Sequence, residues 1–323
     1  MRKDAIISCM ILVTGGTGFI GQALVRHLTE AGYSVRLLIR PSQKSPELPR
    51  GVPLDVAVSN LTDERGLRSA MVGVDTVYHL AGAEWQGPRA SLMEVDIQGT
   101  QAVCQAATAQ KVKRIFYVSH LGADRASAFP AFKAKGIAEE HIRRSKLDYT
   151  ILRSAIVFGN GDHFTSGLAY ILTNTPFFFL VPEDGRTQLQ PLWVEDLATC
   201  LTWSLDNPNT INQTYSIGGP EYLSFNEILS IVMETLDIRR TRLHLSPPFL
   251  RALTVQLDFM FPGLPVSAYW LDYLAVNRTC ALDTTLRTFN LIPERFSHHL
   301  DHLRGQTWRL PLRVLMRRRM GVK

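Results

Sequence analysis

The sequence predicts an α/β protein built around a doubly wound parallel sheet. Up to Ser119, short apolar runs alternate with stretches of helical period, and a glycine-punctuated turn directly follows the first apolar run. Met10-Ile11-Leu12-Val13 reads as a strand buried on both faces, because an unbroken apolar run leaves no side for water. From Phe19 the period changes: Ile20, Ala23, Leu24 and Leu28 share one helical face until Ala31-Gly32 ends it. Tyr33 to Ile39 gives a second strand, closed by a polar, proline-marked loop from Arg40 to Pro49. Val52 to Val58 is a third strand and Asp63 to Met71 a helix. Val74 to Ala83 is a fourth strand that ends in small residues. Asp96 to Gln110 is a helix with Ile97, Val103, Ala106 and Ala107 inward, and Arg114 to Ser119 is the fifth strand. Strands and helices alternating in this way form a parallel sheet with right-handed crossovers.

At 323 residues the chain can hold one large α/β unit or two closely joined domains. Hydrophobic residues make up 46% and charged residues 20%, the balance of a globular protein. A net charge of +6, with no zinc-finger spacing and no basic face interleaved with aromatics, argues against nucleic acid as a partner. Cys9, Cys104, Cys200 and Cys280 lie far apart and read as free thiols in a reducing compartment. Residues 1–9 read as a short extension without signal-peptide character, and no stretch reaches the ~18 apolar residues of a membrane span. The chain reads as cytoplasmic, with peripheral membrane attachment left open by its C-terminus.

Gly15, Gly18 and Gly21 space the turn as T-G-x-x-G-x-x-G. A glycine triplet alone marks only a tight turn. Between a strand and a helix it lets the backbone approach a pyrophosphate, whose charge lies against the free N–H groups of the helix N-terminus. Gly15, Thr17, Gly18, Phe19, Ile20 and Gly21 are the candidates. This spacing resembles the short-chain dehydrogenase/reductase superfamily, especially its extended, epimerase/dehydratase-like branch. An NAD-binding chain usually ends the second strand with a carboxylate for the ribose 2′-hydroxyl. Here Ile39 and then Arg40 stand there, which favours NADP(H), with Arg40 on the 2′-phosphate, over NAD(H). In the resembled family the position of Asn60 is commonly an aspartate that contacts adenine, so Asn60 and Leu61 are placed there. Leu80, Ala81 and Gly82 end the fourth strand where backbone would border the cofactor. His79, inside that strand, reads as a hydrogen-bonded core histidine.

In the resembled family, chemistry uses a Ser or Thr after the fifth strand and a Tyr-x-x-x-Lys on the next helix. The tyrosine moves the proton, and the lysine lowers its pKa and holds the nicotinamide ribose. Lys135 with Glu139 matches the K-x-x-x-E run, which puts Ala131 in the tyrosine position. The other register, Phe129 with Lys133, offers no hydroxyl either. Loss of a general acid typically costs ~10²–10⁴-fold, so two readings stay open. In one, the chain is a reductase or epimerase-like enzyme on an apolar carbonyl compound, with Ser119 or His120 assisting beside Lys135. In the other, it is a non-catalytic nucleotide-binding accessory or assembly protein of a membrane, respiratory-type complex.

The resemblance continues in Arg153 to Gly159, an R-P-x-x-x-x-G run with Ser154 for the proline, and in Val194-Glu195-Asp196-Leu197-Ala198, where Asp196 reads as a helix N-cap. Ser224 with Glu227 reads as a capping box. Residues 1–160 are expected to form the dinucleotide-binding part. Residues 161–323 form a substrate or docking lobe, with about 177–203 returning to the first part. Tyr170 to Val181 and Pro247 to Leu274 are rich in Phe, Leu, Tyr and Trp, enough for a helical core and for an apolar cleft that takes a lipophilic small molecule or quinone, or docks on a membrane complex. Leu271 to Arg278 and Phe289 to Pro293 are similar to the tail of one atypical group, which contains the nucleotide-binding accessory subunit of complex I. His298 and His302, one helical turn apart, read as a solvated face with no metal. The stretch Arg313 to Lys323 mixes basic and apolar residues, as a segment lying on an anionic membrane surface does.

Overall fold

The computed structural model describes residues 9–42, 48, 51, 53–84, 91–260 and 267–308, with backbone only at 258–260. The expectations for residues 1–8, for the basic tail beyond 308 and for the Phe259 to Val266 side chains lie outside these residues.

The chain runs β1 (Met10–Thr14), α1 (Phe19–Glu30), β2 (Ser34–Ile39), β3 (Asp55–Val58), α2 (Glu64–Ala70), β4 (Thr76–His79), a π-helical turn (Met93–Gln98), α3 (Gly99–Ala109), β5 (Arg114–His120), α4 (Pro130–Arg144) and β6 (Asp148–Ser154). It continues with β7 (Val157–Phe158), α5 (Thr165–Asn174), β8 (Phe178–Pro182), β9 (Gln188–Leu189), β10 (Leu192–Trp193), α6 (Val194–Asp206), β11 (Gln213–Ile217), β12 (Leu223–Ser224), α7 (Phe225–Thr235), β13 (Thr241–Leu245), α8 (Pro247–Met260), α9 (Ala268–Leu274) and α10 (Thr284–Phe289). Seven strands form one sheet in the order β11-β6-β5-β4-β1-β2-β3, and every pair in it is parallel. The fold is therefore the doubly wound parallel α/β architecture expected. Strand order reverses between β1 and β4, which pair from Ile11↔Thr76 to Thr14↔His79. A crevice opens at the carboxyl ends of the strands at such a reversal.

One face of the sheet packs Ile11, Val13, Leu37 and Tyr78 against α1 and against Leu197 and Leu201 of α6. The other packs Leu12, Val77 and Ile115 against α2, α3 and α4. A third core, around Phe158, Leu229 and Tyr273, belongs mostly to the region that follows β6 and takes in Phe132 from α4. Within 177–203, β8 pairs with β13 away from the large sheet, whereas α6 packs on α1 through Val194, Ala198 and Ala23. Further on, β11 adds the last strand beside β6.

Three local expectations need correction. The helix after β4 does not begin regularly at Asp96; it opens with the π-helical turn, which widens the backbone and turns Asp96 inward. Asp196 is not an N-cap: Trp193 holds that position, and the Asp196 carboxylate accepts the Glu294 N–H at 2.8 Å from the first turn of α6. His298 and His302 do not share a helix but lie in two separate 3-10 turns, and His302 Nε2 meets Thr165 Oγ1 at 3.0 Å. The capping box is present, with Glu227 accepting the Ser224 N–H at 2.7 Å. No described helix is long and apolar enough to cross a membrane.

Candidate dinucleotide site

The glycine turn is a backbone packing device. Gly15 has φ +71°, and a Cβ there would stand 2.7 Å from the Ala81 nitrogen. A Cβ on Gly21 would stand 2.2 Å from the Gly15 carbonyl oxygen. Both positions thus require glycine, one to bring β1 against the end of β4 and the other to bring α1 against the turn. Gly18 is the N-cap of α1 and supplies no side-chain cap, so among the described residues the first-turn N–H groups of this 12-residue helix stay free to bind an anion. Thr17 steadies the turn through its carbonyl, which accepts from Gln22 Nε2 at 3.0 Å. Phe19 approaches Gly159 across the crevice.

Beyond the turn, the structure lines up Leu80, Ala81 and Gly82 at the end of β4 and closes the row with Lys135. A Cβ on Gly82 would meet Glu84 Oε2 at 2.4 Å and Lys135 Nζ at 2.9 Å. Lys135, on the inner face of α4, is only 3% exposed. Its Nζ lies 3.1 Å from Asp96 and 3.4 Å from Glu84. Burial disfavours the ammonium, but the two carboxylates outweigh it and hold the Lys135 pKa well above its ordinary value. Burial pushes the Glu84 carboxyl up, and the Lys135 charge with the His120 contact reverses this, holding it below the usual carboxylate range. Asp96 is pushed up, first by burial.

His120 Nε2 lies 3.0 Å from the other Glu84 oxygen, and its Nδ1 is buried without a hydrogen-bond partner among the described residues. Ser119 Oγ, at the same strand end, is buried and faces the Glu139 carboxylate. Ala131 is buried in the first turn of α4, one residue from Phe132, and carries no group that can move a proton. Above this point Tyr269 and Tyr273 from α9 pack on the His120 and Phe132 rings. The Arg278 guanidinium stacks 3.6 Å from the Phe132 ring centre and donates to the carbonyls of Leu121, Asp272 and Tyr273. Glu139 forms a two-point pair with Arg153 at 2.8 and 2.6 Å, so the two motif residues bind each other.

At the opposite end of the crevice Arg40 follows β2 and is exposed, as Asn60 is after β3, while Leu61 packs against Gly99. Arg36 is engaged with Asp55 and with the carbonyls of Ala70 and Val72. His79 is fully buried between Thr14 Oγ1 at 2.7 Å and Thr100 Oγ1 at 2.9 Å. Burial, aided by the Lys135 charge, pushes its pKa down to about 3, so the ring stays neutral. The residues that sequence reasoning missed are Glu84 and Asp96. Asp96 read as the start of an ordinary helix, and Glu84 carried no spacing signal at all.

A family model described as NAD(P)H-binding matches residues 15–174. The chain is 26% identical over 81% of its length to the Arabidopsis thaliana protein "NADH dehydrogenase [ubiquinone] 1 alpha subcomplex subunit 9, mitochondrial", and the match spans 67% of that protein. It spans 60% of the rat protein of the same name. A "putative dihydroflavonol 4-reductase" of Synechocystis is 37% identical over 37% of this chain and 34% of its own length. Among solved structures, MoeE5 in complex with UDP-glucose and NAD superposes with a TM-score of 0.70 at 20% identity, covering 91% of this chain and 96% of that one, which shows a shared fold. In its glycine turn, parallel sheet and NAD(P)H-binding segment, the chain matches the atypical short-chain dehydrogenase/reductase superfamily, near the complex I accessory-subunit group.

Proposed function

We propose that this protein binds NADP(H) in preference to NAD(H), holds it without turnover, and serves as a nucleotide-stapled accessory protein peripheral to a membrane complex. The observation that carries the reading is the centre of the site: Ala131 stands where a proton donor is needed, and Lys135 is already neutralised by Glu84 and Asp96. The residues present fit a dinucleotide, because the glycine cradle leaves the α1 N–H groups free. Gly15, Thr17, Gly18, Phe19, Ile20 and Gly21 would hold the pyrophosphate, Arg40 the 2′-phosphate, and Asn60 and Leu61 the adenine. Leu80, Ala81, Gly82 and Lys135 would border the nicotinamide ribose. Residues 1–160 are the nucleotide part in this reading and residues 161–323 the docking lobe. Relatives named as complex I subunits over most of the chain support the docking role.

A second reading rests on the His120 Nδ1, which has no partner among the described residues, with Ser119 beside it. In it, Glu84 orients His120 to give a proton to the oxygen of an apolar carbonyl compound or quinone, and a nucleotide held at the glycine turn would supply the hydride. Fluorescence titration with NADPH and NADH tests the common foundation. NADPH binds the more tightly, and Arg40→Ser lowers NADPH affinity on the order of tenfold or more with little change for NADH, as loss of a charge-assisted hydrogen bond requires. Equal affinities in the wild type contradict the Arg40 assignment, and no binding of either nucleotide ends both readings.

A further inference from the structure

We propose that an apolar cleft in the C-terminal lobe holds the end of one acyl chain of an anionic membrane lipid. The cleft is a cavity of about 240 Å³ framed by α5, β8, α8 and α9. That is room for roughly eight groups of ~30 Å³, the volume a water molecule takes in the liquid. Leu168, Ile171, Leu253, Leu257, Trp270 and Leu274 are among the residues of its wall. Ser267 Oγ lies at this wall, buried and without a hydrogen-bond partner among the described residues. Phe178, a wall residue, is 46% exposed, so an aromatic ring of the wall reaches solvent; Phe177, beside it in sequence, is 75% exposed, and Phe249, next in sequence to the wall residue Leu250, is 63% exposed. Three large exposed rings thus lie on or beside the elements that frame one cavity.

Where the chain leaves the described structure indicates the occupant. The Trp308 carbonyl accepts from Asn174 Nδ2 at 2.7 Å, and Asn174 precedes the wall residue Thr175. The Arg240 guanidinium donates to the Leu172 and Thr175 carbonyls at the same end of α5, adding a fixed cation there. Residues 309–323, which follow Trp308 in sequence, hold five arginines and one lysine among apolar residues, and no acid. A segment of that composition is drawn to an anionic lipid surface. An apolar cleft beside Trp308 and Arg240 then takes a chain from such a surface, whereas a neutral apolar metabolite would gain nothing from the cations. The inference goes beyond nucleotide binding and does not depend on whether the nucleotide turns over.

The test uses the full chain loaded with NADPH and vesicles whose acyl chains are brominated, which quench tryptophan on contact. With one-third phosphatidylglycerol in phosphatidylcholine the protein floats with the vesicles and its emission falls; with phosphatidylcholine alone neither happens. Trp270→Phe still floats and loses most of the quenching, and its unchanged NADPH affinity shows that it is folded. The triple change Arg317→Ser, Arg318→Ser, Arg319→Ser weakens flotation on the order of tenfold or more. Flotation without quenching, quenching that survives Trp270→Phe, equal binding to neutral vesicles, or no flotation would each overturn the proposal.

Discussion

Lys135 carries much of the electrostatic burden of the site. With Lys135→Met, Glu84 and Asp96 face each other in a buried space with no cation between them, at a cost of about 3–5 kcal/mol. Denaturant unfolding checks this, and adding Glu84→Gln and Asp96→Asn restores part of the loss. No recovery in the triple variant would mean that Lys135 acts by packing alone. Gly21→Ala puts a Cβ 2.2 Å from a carbonyl oxygen, so α1 must shift; thermal unfolding and NADPH titration should both show the loss. The glycines were legible because their spacing follows a strand and precedes a helix. Glu84 and Asp96 were not, since a carboxylate acquires its role only when a distant lysine is folded against it.

The elements differ in how far local pattern decides them. The capping box of α7 needs only Ser224 and Glu227 three residues apart, and it formed as read. The π-helical turn at Met93–Gln98 has no such signature; the pull of Lys135 and the Ala83 N–H on Asp96 accompanies it. Asp196 shows the same limit, because its partner is the backbone of Glu294, far along the chain. Burial raises its pKa to about 6, above the ~3.9 of an unfolded aspartate. A raised folded pKa contributes stability below the unfolded value and loses it as pH rises through the folded value, between about 4 and 6. Asp196→Asn keeps an acceptor for Glu294 and therefore stabilises the protein at pH 7.5 by up to about 2–3 kcal/mol, with little effect at pH 4. Denaturant titrations at the two pH values decide it; an equal effect at both would remove burial of the charge as the cause.

At the scale of the whole molecule, alternation of apolar runs and helical periods was enough to give the parallel sheet through β5. The later part was harder to read because its pieces serve two cores: β8 pairs with β13 in one, while α6 and β11 pack into the other. Tight nucleotide binding across the β1–β4 crevice should couple to the stability of that whole assembly. NADPH at a hundred times its Kd raises the unfolding free energy by about 2.7 kcal/mol by linkage, read as a shift in Tm that NADH matches only at higher concentration. The central claim is that this nucleotide is held and not consumed. It is tested most directly by following the nicotinamide absorbance of NADPH bound to the purified protein for hours, with apolar carbonyl compounds and quinones added in turn. The account predicts an unchanged absorbance with every addition. Steady oxidation with any one of them, lost in His120→Ala, would contradict it and make the protein an enzyme.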